Sequence, residues 1–403
     1  MNRYRYTARN EEGNIVKGVI FARDEVELAN RISDLGYFLT SFKVSAESDG
    51  DISQEKVPKL RPKEVLDFTI QLAVLINAGL PLTDGLRSLA TDTTDERIQK
   101  IIDGIRYRVE SGGSLREALS FYPQSFSKLY LAIIGAGEST GKLQQVLEDL
   151  SVLVEWQLDL KVKIKEAATY PVILSTVMVS VVILLVVKVI PTFEPIFEQA
   201  GVSLPLPTQI VLNLSHFLRS FWHVIIAIIL LMFIAYKTYR KTERGLYNID
   251  SFKLKLPLFG DLIRKIGLSR FAHTLALTFK SGINLLTCLD IARETCGNLR
   301  IERAIGKAKE AVNMGEKLSG SLQVTGEFPA MVIRMIGVGE ESGNLVNTLS
   351  KVSSFYDKEI AAAIRSIFSL LEPIMIVIMG VVVGGIALSI FLPMFEMARV
   401  IGG

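Results

Sequence analysis

The chain has 403 residues, of which 49% are hydrophobic and 22% charged, with a net charge of +3 and a mean hydropathy of +0.35. A water-soluble chain of this charge content sits near or below zero on that scale, so the apolar residues must be concentrated in particular segments. The small net charge, with no basic run, excludes nucleic acid as a partner, and two cysteines with three scattered histidines exclude a disulfide framework or a histidine-based metal centre.

Residues 1–45 read as a small ββαβ module. Tyr4, Tyr6 and Ala8 alternate as in a strand, residues 10–14 supply a glycine-containing turn, and residues 15–21 form a second strand. Asp24 caps a helix with Glu27 three positions later, Gly36 ends it, and residues 37–42 form a third strand. No apolar h-region opens the chain, so no cleaved signal peptide is expected. Residues 46–61 are polar and acidic without periodicity, a flexible linker.

Residues 62–168 read as a helical domain. Leu66, Ile70, Ala73 and Val74 follow helical spacing, and Gly79 with Pro81 stops and restarts the chain. Ile98, Ile101, Ile102, Ile105 and Val109 form a second stripe. Ser114 and Glu117 make a capping box for a short helix. Leu143, Val146, Leu147, Leu150, Leu153 and Val154 begin a stripe that runs towards the first apolar segment, kinked at Pro171.

Three apolar runs, 169–191, 217–239 and 371–393, are each long enough to cross a hydrocarbon core ~30 Å thick. Lys161, Lys163 and Lys165 precede the first, and Lys237, Arg240, Lys241 and Arg244 follow the second, whereas the short loop 192–216 has no Lys or Arg before the second span's own residues. The loop is therefore expected outside, the helical domains 62–168 and 240–370 inside, and the tail 394–403 outside. Pro171, Pro191, Pro373 and Pro393 mark the span boundaries.

The second domain repeats the first over about 135 residues. Phe68, Leu72, Gly79 and Leu86 recur as Phe271, Leu275, Gly282 and Leu289. After a one-residue shift, Phe126 and Ile134 recur as Phe328 and Ile336, and a glycine motif follows each. Gly135, Gly137, Glu138, Gly141 and Leu143 match Gly337, Gly339, Glu340, Gly343 and Leu345. The second span has no counterpart and returns the chain inside, so that the unit starts again in the same orientation.

The glycine motif is not a phosphate loop. Leu143 follows Lys142 where a P-loop has Ser or Thr, the preceding segment is helical, and the second copy has Asn344 in place of the lysine. Its glycines permit a tight turn or close helix approach, and Glu138 and Glu340 are expected to cap the next helix. No nucleophile, acid–base pair or metal set stands out, so no catalytic site, cofactor or metal is expected. Cys288 and Cys296 lie two helical turns apart as core thiols. Lys188 snorkels near a span end. Gly380 and Gly384 permit close helix packing, either within the chain or between copies.

The whole pattern resembles the polytopic inner-membrane platform proteins of type II secretion systems and type IV pilus assembly machines. The resemblance rests on Tyr4, Tyr6, Ala8, Gly13 and Gly18, on both glycine motifs, on Tyr170-Pro171 and Glu372-Pro373, and on the span-exit prolines. One departure is Ser127-Lys128 after Phe126, where the family usually has two prolines. The resemblance implies a mainly α, polytopic protein of the bacterial inner membrane, with N-terminus cytoplasmic and C-terminus periplasmic. Its implied role is non-enzymatic: coupling a hexameric assembly ATPase to extraction of pilin or pseudopilin subunits, alongside other platform proteins and as a homo-oligomer. It does not separate a pilus machine from a secretion machine. A membrane transporter or sensor is the alternative, which the scarcity of polar groups in the spans disfavours.

Overall fold

The computed structural model describes residues 2–9, 15–22, 25–34, 37–44, 58–199 and 204–401, in two units split at residue 57. The expected turn at 10–14, the caps Asp24 and Gly36, and the linker up to residue 57 lie outside the described residues. In the first unit, β1 (Asn2–Arg9) pairs antiparallel with both β2 (Ile15–Ala22) and β3 (Phe38–Val44), and α1 (Glu25–Asp34) lies between β2 and β3 in sequence. Leu28 and Ile32, one turn apart on α1, are fully buried with Tyr4 and Ala8 of β1.

The second unit contains six helices, a connecting helical segment, and six helices again. The first set is α2 (Pro62–Asn77), α3 (Leu82–Asp92), α4 (Glu96–Glu110), α5 (Leu115–Ser120), α6 (Lys128–Thr140) and α7 (Leu143–Leu184). A π-helical turn (Leu185–Val189) joins α7 to α8 (Ile190–Gln199), and α9 (Leu206–Tyr239) and α10 (Glu243–Lys255) follow. The second set is α11 (Phe259–Lys280), α12 (Leu285–Thr295), α13 (Leu299–Asn313), α14 (Leu318–Thr325), α15 (Ala330–Glu341) and α16 (Leu345–Ile401). The duplicated sequence is duplicated structure, down to its aromatic contacts. Phe68 meets Phe126 edge-on at 5.8 Å between ring centroids, and their repeat equivalents Phe271 and Phe328 do so at 5.3 Å.

The face that α2 buries differs from the expected stripe. Val65, Phe68, Thr69, Leu72 and Ala73 are inside, while Ile70 and Val74 point out. Apolar residues surround this helix, so spacing alone could not choose the face. Packing against α7 did, and it admits Thr69, whose hydroxyl meets Tyr130 Oη at 2.9 Å and donates to Val65 O at 2.6 Å.

Among the described residues, three helices are long and apolar enough to cross a membrane, in the stretches Leu143–Ile196, Leu206–Tyr239 and Leu345–Glu396. The prolines expected at span boundaries end none of them. α7 passes through Pro171, α16 passes through Pro373 and Pro393, and Pro191 lies one residue into α8. Much of the expected loop 192–216 is helical, as the end of α8 and the first turns of α9. With backbone groups unable to find water in hydrocarbon, helix continues wherever side chains allow it.

Pro191 has no N–H, so the carbonyl of Val187, four residues earlier, loses its α-helical donor. Arg219 of α9 supplies two, from Nε at 2.9 Å and Nη2 at 2.5 Å. Pro393 does the same to Ser389, and Thr208 of α9 donates its hydroxyl to Ser389 O at 2.7 Å in a buried position. The first turns of α9 thus complete both proline-interrupted helices, and Leu212 joins Val186, Ile190 and Ile386 in a small apolar cluster there. At Phe221 the backbone leaves helical geometry (φ −112°, ψ 15°), and beyond it residues 222–239 are exposed almost throughout.

Thr208→Val should lower the stability of the detergent-solubilised protein by about 1–3 kcal/mol, because Ser389 O is then buried without a donor. In a Pro393→Ala background, where the backbone N–H returns, the same substitution should shift the thermal midpoint less than half as far.

Candidate functional site

The duplicated glycine motif lies where α5, α6 and α7 meet, and again where α14, α15 and α16 meet. Helix α6 ends at Gly141, whose φ of +68° is left-handed, and Lys142 N–H returns to Gly137 O at 2.8 Å. The second copy repeats this with Gly343 at φ +66° and Asn344 N–H on Gly339 O at 2.9 Å. This 6→1 closure satisfies carbonyls at the helix end and reverses the chain into the long helix. An L-residue there would be strained.

Gly137 and Gly339 are needed for a different reason. A Cβ on Gly137 would fall 2.9 Å from Val146 Cβ on α7, and one on Gly339 would fall 3.1 Å from Leu345 Cα and closer still to Thr348 Oγ1. The bare backbone lets each long helix lie directly on the helix before it. Gly135 and Gly337 are less constrained. A Cβ on Gly135 meets only the flexible Arg116 side chain, and one on Gly337 lies in ordinary contact with Ser319 at 3.6 Å. Leu143 and Leu345 seal the two joints against their cores.

The glutamates act backwards along the chain. Glu138 accepts from Leu115 N–H at 2.5 Å and Arg116 N–H at 3.0 Å, and Glu340 accepts from Leu318 N–H at 2.5 Å and Ser319 N–H at 2.9 Å. They cap the short helices α5 and α14, which precede them, and not the next helix. Their carboxylates lie across the turn from a helix start, where orphan N–H groups and the dipole favour negative charge. Ser114 adds the local cap expected of it, from Glu117 N–H at 3.0 Å. Lys317 stands at that position in the second copy and makes no side-chain cap, so Glu340 serves alone. Ser127 caps α6 by accepting from Tyr130 N–H at 3.2 Å, and Pro329 occupies that position before α15. Each motif is a joint between a helical bundle and a membrane-length helix, and its groups are placed to hold helices together.

A second polar cluster escaped sequence reasoning. Asp357 of α16 accepts from Trp156 Nε1 of α7 at 2.8 Å and from Ser269 Oγ at 2.9 Å, and lies 3.0 Å from His273 Nε2 of α11. The Trp156 and His273 rings stack at 4.3 Å. Lys280 meets Asp149 at 2.8 Å across the same junction. This is where the two repeats contact one another, so internal symmetry conceals it. The signal in the sequence was a set of mismatches between the repeats, with His273 opposite Ile70, Ser269 opposite Leu66 and Trp156 opposite Lys358. Cys288 and Cys296 are buried, and burial pushes both thiols up, which keeps them protonated.

The model for "Type II secretion system (T2SS), protein F" matches this chain twice, over residues 68–191 and 271–393, and each match includes one copy of the joint. The model of that protein's N-terminal domain matches residues 1–43. The chain belongs to the type II secretion system protein F family. Its relatives within that platform family carry both pilus and secretion names. The type IV pilus assembly protein PilC of Myxococcus xanthus is 36% identical over 98% of this chain and 95% of its own length. That of Thermus thermophilus is 36% identical over 98% and 97%. The type II secretion system protein F of Pseudomonas aeruginosa is 34% identical over 85% of each chain.

Gly137→Leu should drive a branched side chain into Val146 and lower stability by about 1–3 kcal/mol in thermal unfolding. Gly337→Ala should leave stability unchanged or raise it by up to about 1 kcal/mol, since a helical glycine is being replaced without a clash.

Proposed function

We propose that this protein F family member is a non-enzymatic inner-membrane platform. It couples a cytoplasmic hexameric ATPase to the extraction and assembly of pilin or pseudopilin subunits. The supporting observation is continuity: each helical bundle is fastened by its glycine joint to a single helix that runs on into a membrane-length apolar stretch. At 1.5 Å per residue, α16 is a rod of about 85 Å. A displacement imposed on either bundle reaches the far side of the bilayer through such a rod without an intervening loop.

In this reading the bundles and the N-terminal module face the cytoplasm and the C-terminus faces the periplasm, following the distribution of Lys and Arg. The protein works as a homo-oligomer beside other platform proteins. Nothing among the described residues lies within 4 Å of where a Cβ on Gly380 or Gly384 would sit, so this glycine face does no close packing within the chain and is free for another helix.

A strain lacking the gene is scored for surface filaments by electron microscopy and for secreted protein in the medium. Loss of either, restored by the intact gene, supports the platform reading and tells pilus from secretion machine; retention of both overturns it. A Gly137→Leu, Gly339→Leu double variant should reach the membrane at normal levels yet fail to restore assembly. Full restoration would mean that the joints carry no motion.

A further inference from the structure

At one end of the first helical bundle, α2, α6 and α7 enclose an open cavity of about 430 Å³. Helix α2 runs antiparallel to α7, with Asn77 bonded to Glu148 at the far end, so Arg61 and Pro62 lie beside Gln157 and Lys161. Lys161 is eight residues before the apolar run that begins at 169, about 12 Å along a straight helix. The cavity therefore sits at the membrane-facing end of the bundle.

Its lining has one sign of charge. Lys59, Arg61 and Lys161 are exposed around it, Ser125 and Gln157 are neutral, and among the described residues no carboxylate lines it. Leu60, Val65 and Val154 give it an apolar wall. Glu64 is nearby but occupied: it receives Arg97 Nη2 at 2.7 Å and Arg61 N–H at 2.6 Å, 3.7 Å from Arg61 Nε. Burial would push its carboxyl up, but these bonds hold it below the usual range.

The second repeat carries a different set of charges at the equivalent place. Arg264 replaces Arg61 there, but Glu327 stands for Ser125 and Glu359 for Gln157, while Ala363 replaces Lys161. Arg264 lies 3.7 Å from Glu327, and Lys265 lies 2.9 Å from Glu359. Helix α11 also begins at Phe259, earlier than the repeat equivalent of Pro62, and covers the place with Leu262. On the same scaffold, the first copy keeps Lys59 and Lys161 where the second has Leu262 and Ala363, while Arg61 and Arg264 each lie 3.7 Å from a carboxylate.

We propose that this cavity binds the phosphodiester headgroup of an anionic phospholipid from the leaflet facing the helical domains. The three cations meet the phosphate, and the apolar wall takes the glycerol end of the acyl chains. The inference rests on α7 entering the bilayer near residue 169 and not on the assembly role, so the two fail separately.

The test is titration of the detergent-purified full chain with dioctanoyl phosphatidylglycerol, dioctanoyl phosphatidylcholine and inorganic phosphate, read by native mass spectrometry. Phosphatidylglycerol should bind saturably and more tightly than the other two. The K59Q/R61Q/K161Q variant should lose at least about tenfold in that affinity, and K163Q/K165Q, on the same helix outside the cavity, should stay within about twofold. S125E/Q157E, which copies the second repeat and leaves every cation in place, should lose binding as well. Equal binding of phosphatidylcholine, or indifference to either cavity variant, overturns the proposal. Inorganic phosphate binding as tightly as the lipid would make this a free-anion site and also overturn it.

Discussion

A proline inside a membrane helix leaves the carbonyl four residues earlier without its donor, and hydrocarbon offers no substitute. Both repeats carry such a proline near the far end of their span, and both orphaned carbonyls receive donors from one helix, α9, through Arg219 and Thr208. This requirement holds the non-repeated span against the two repeated ones. It accounts for the apolar cluster around Leu212 and Ile386 at that end. Past Phe221, where no orphaned group needs α9, the helix turns away and stands exposed along its length.

At the opposite end of each long helix the glycine joint does comparable work in water. Gly137 and Gly339 remove the side chain that would hold two helices apart, and Gly141 and Gly343 reverse the chain. Glu138 and Glu340 fasten the short preceding helix to the same corner. With a joint at one end and a donated hydrogen bond at the other, each repeat becomes a bundle rigidly continued by a rod. That architecture supports the proposed transmission of motion along each long helix.

Duplication does not make the halves equivalent. The Trp156, His273 and Asp357 contact exists only because two copies meet, and neither copy alone contains it. Lys59 and Lys161, which border the cavity of the first copy, are replaced by Leu262 and Ala363 in the second. The cores have diverged too, with buried Thr69 and Tyr130 replaced by Ala272 and Val332, while the paired aromatic contacts remain.

Much of this was legible in the chain itself, for definite reasons. Three long apolar runs can be accommodated only by a bilayer, a register maintained from Phe68 to Pro393 can only mean a repeated unit, and a helix stop with glycine in the left-handed region is local chemistry. What the sequence left open depends on partners distant along the chain. Which face of α2 is inward was settled by α7, and the direction in which Glu138 reaches was settled by α5, more than twenty residues back. Nothing in local spacing marks Arg219 as the donor for the Val187 carbonyl, which lies on another helical segment. Periodicity and local spacing encode how a segment folds; hydrogen-bond satisfaction between segments is a property of their packing, and only the tertiary structure decides it.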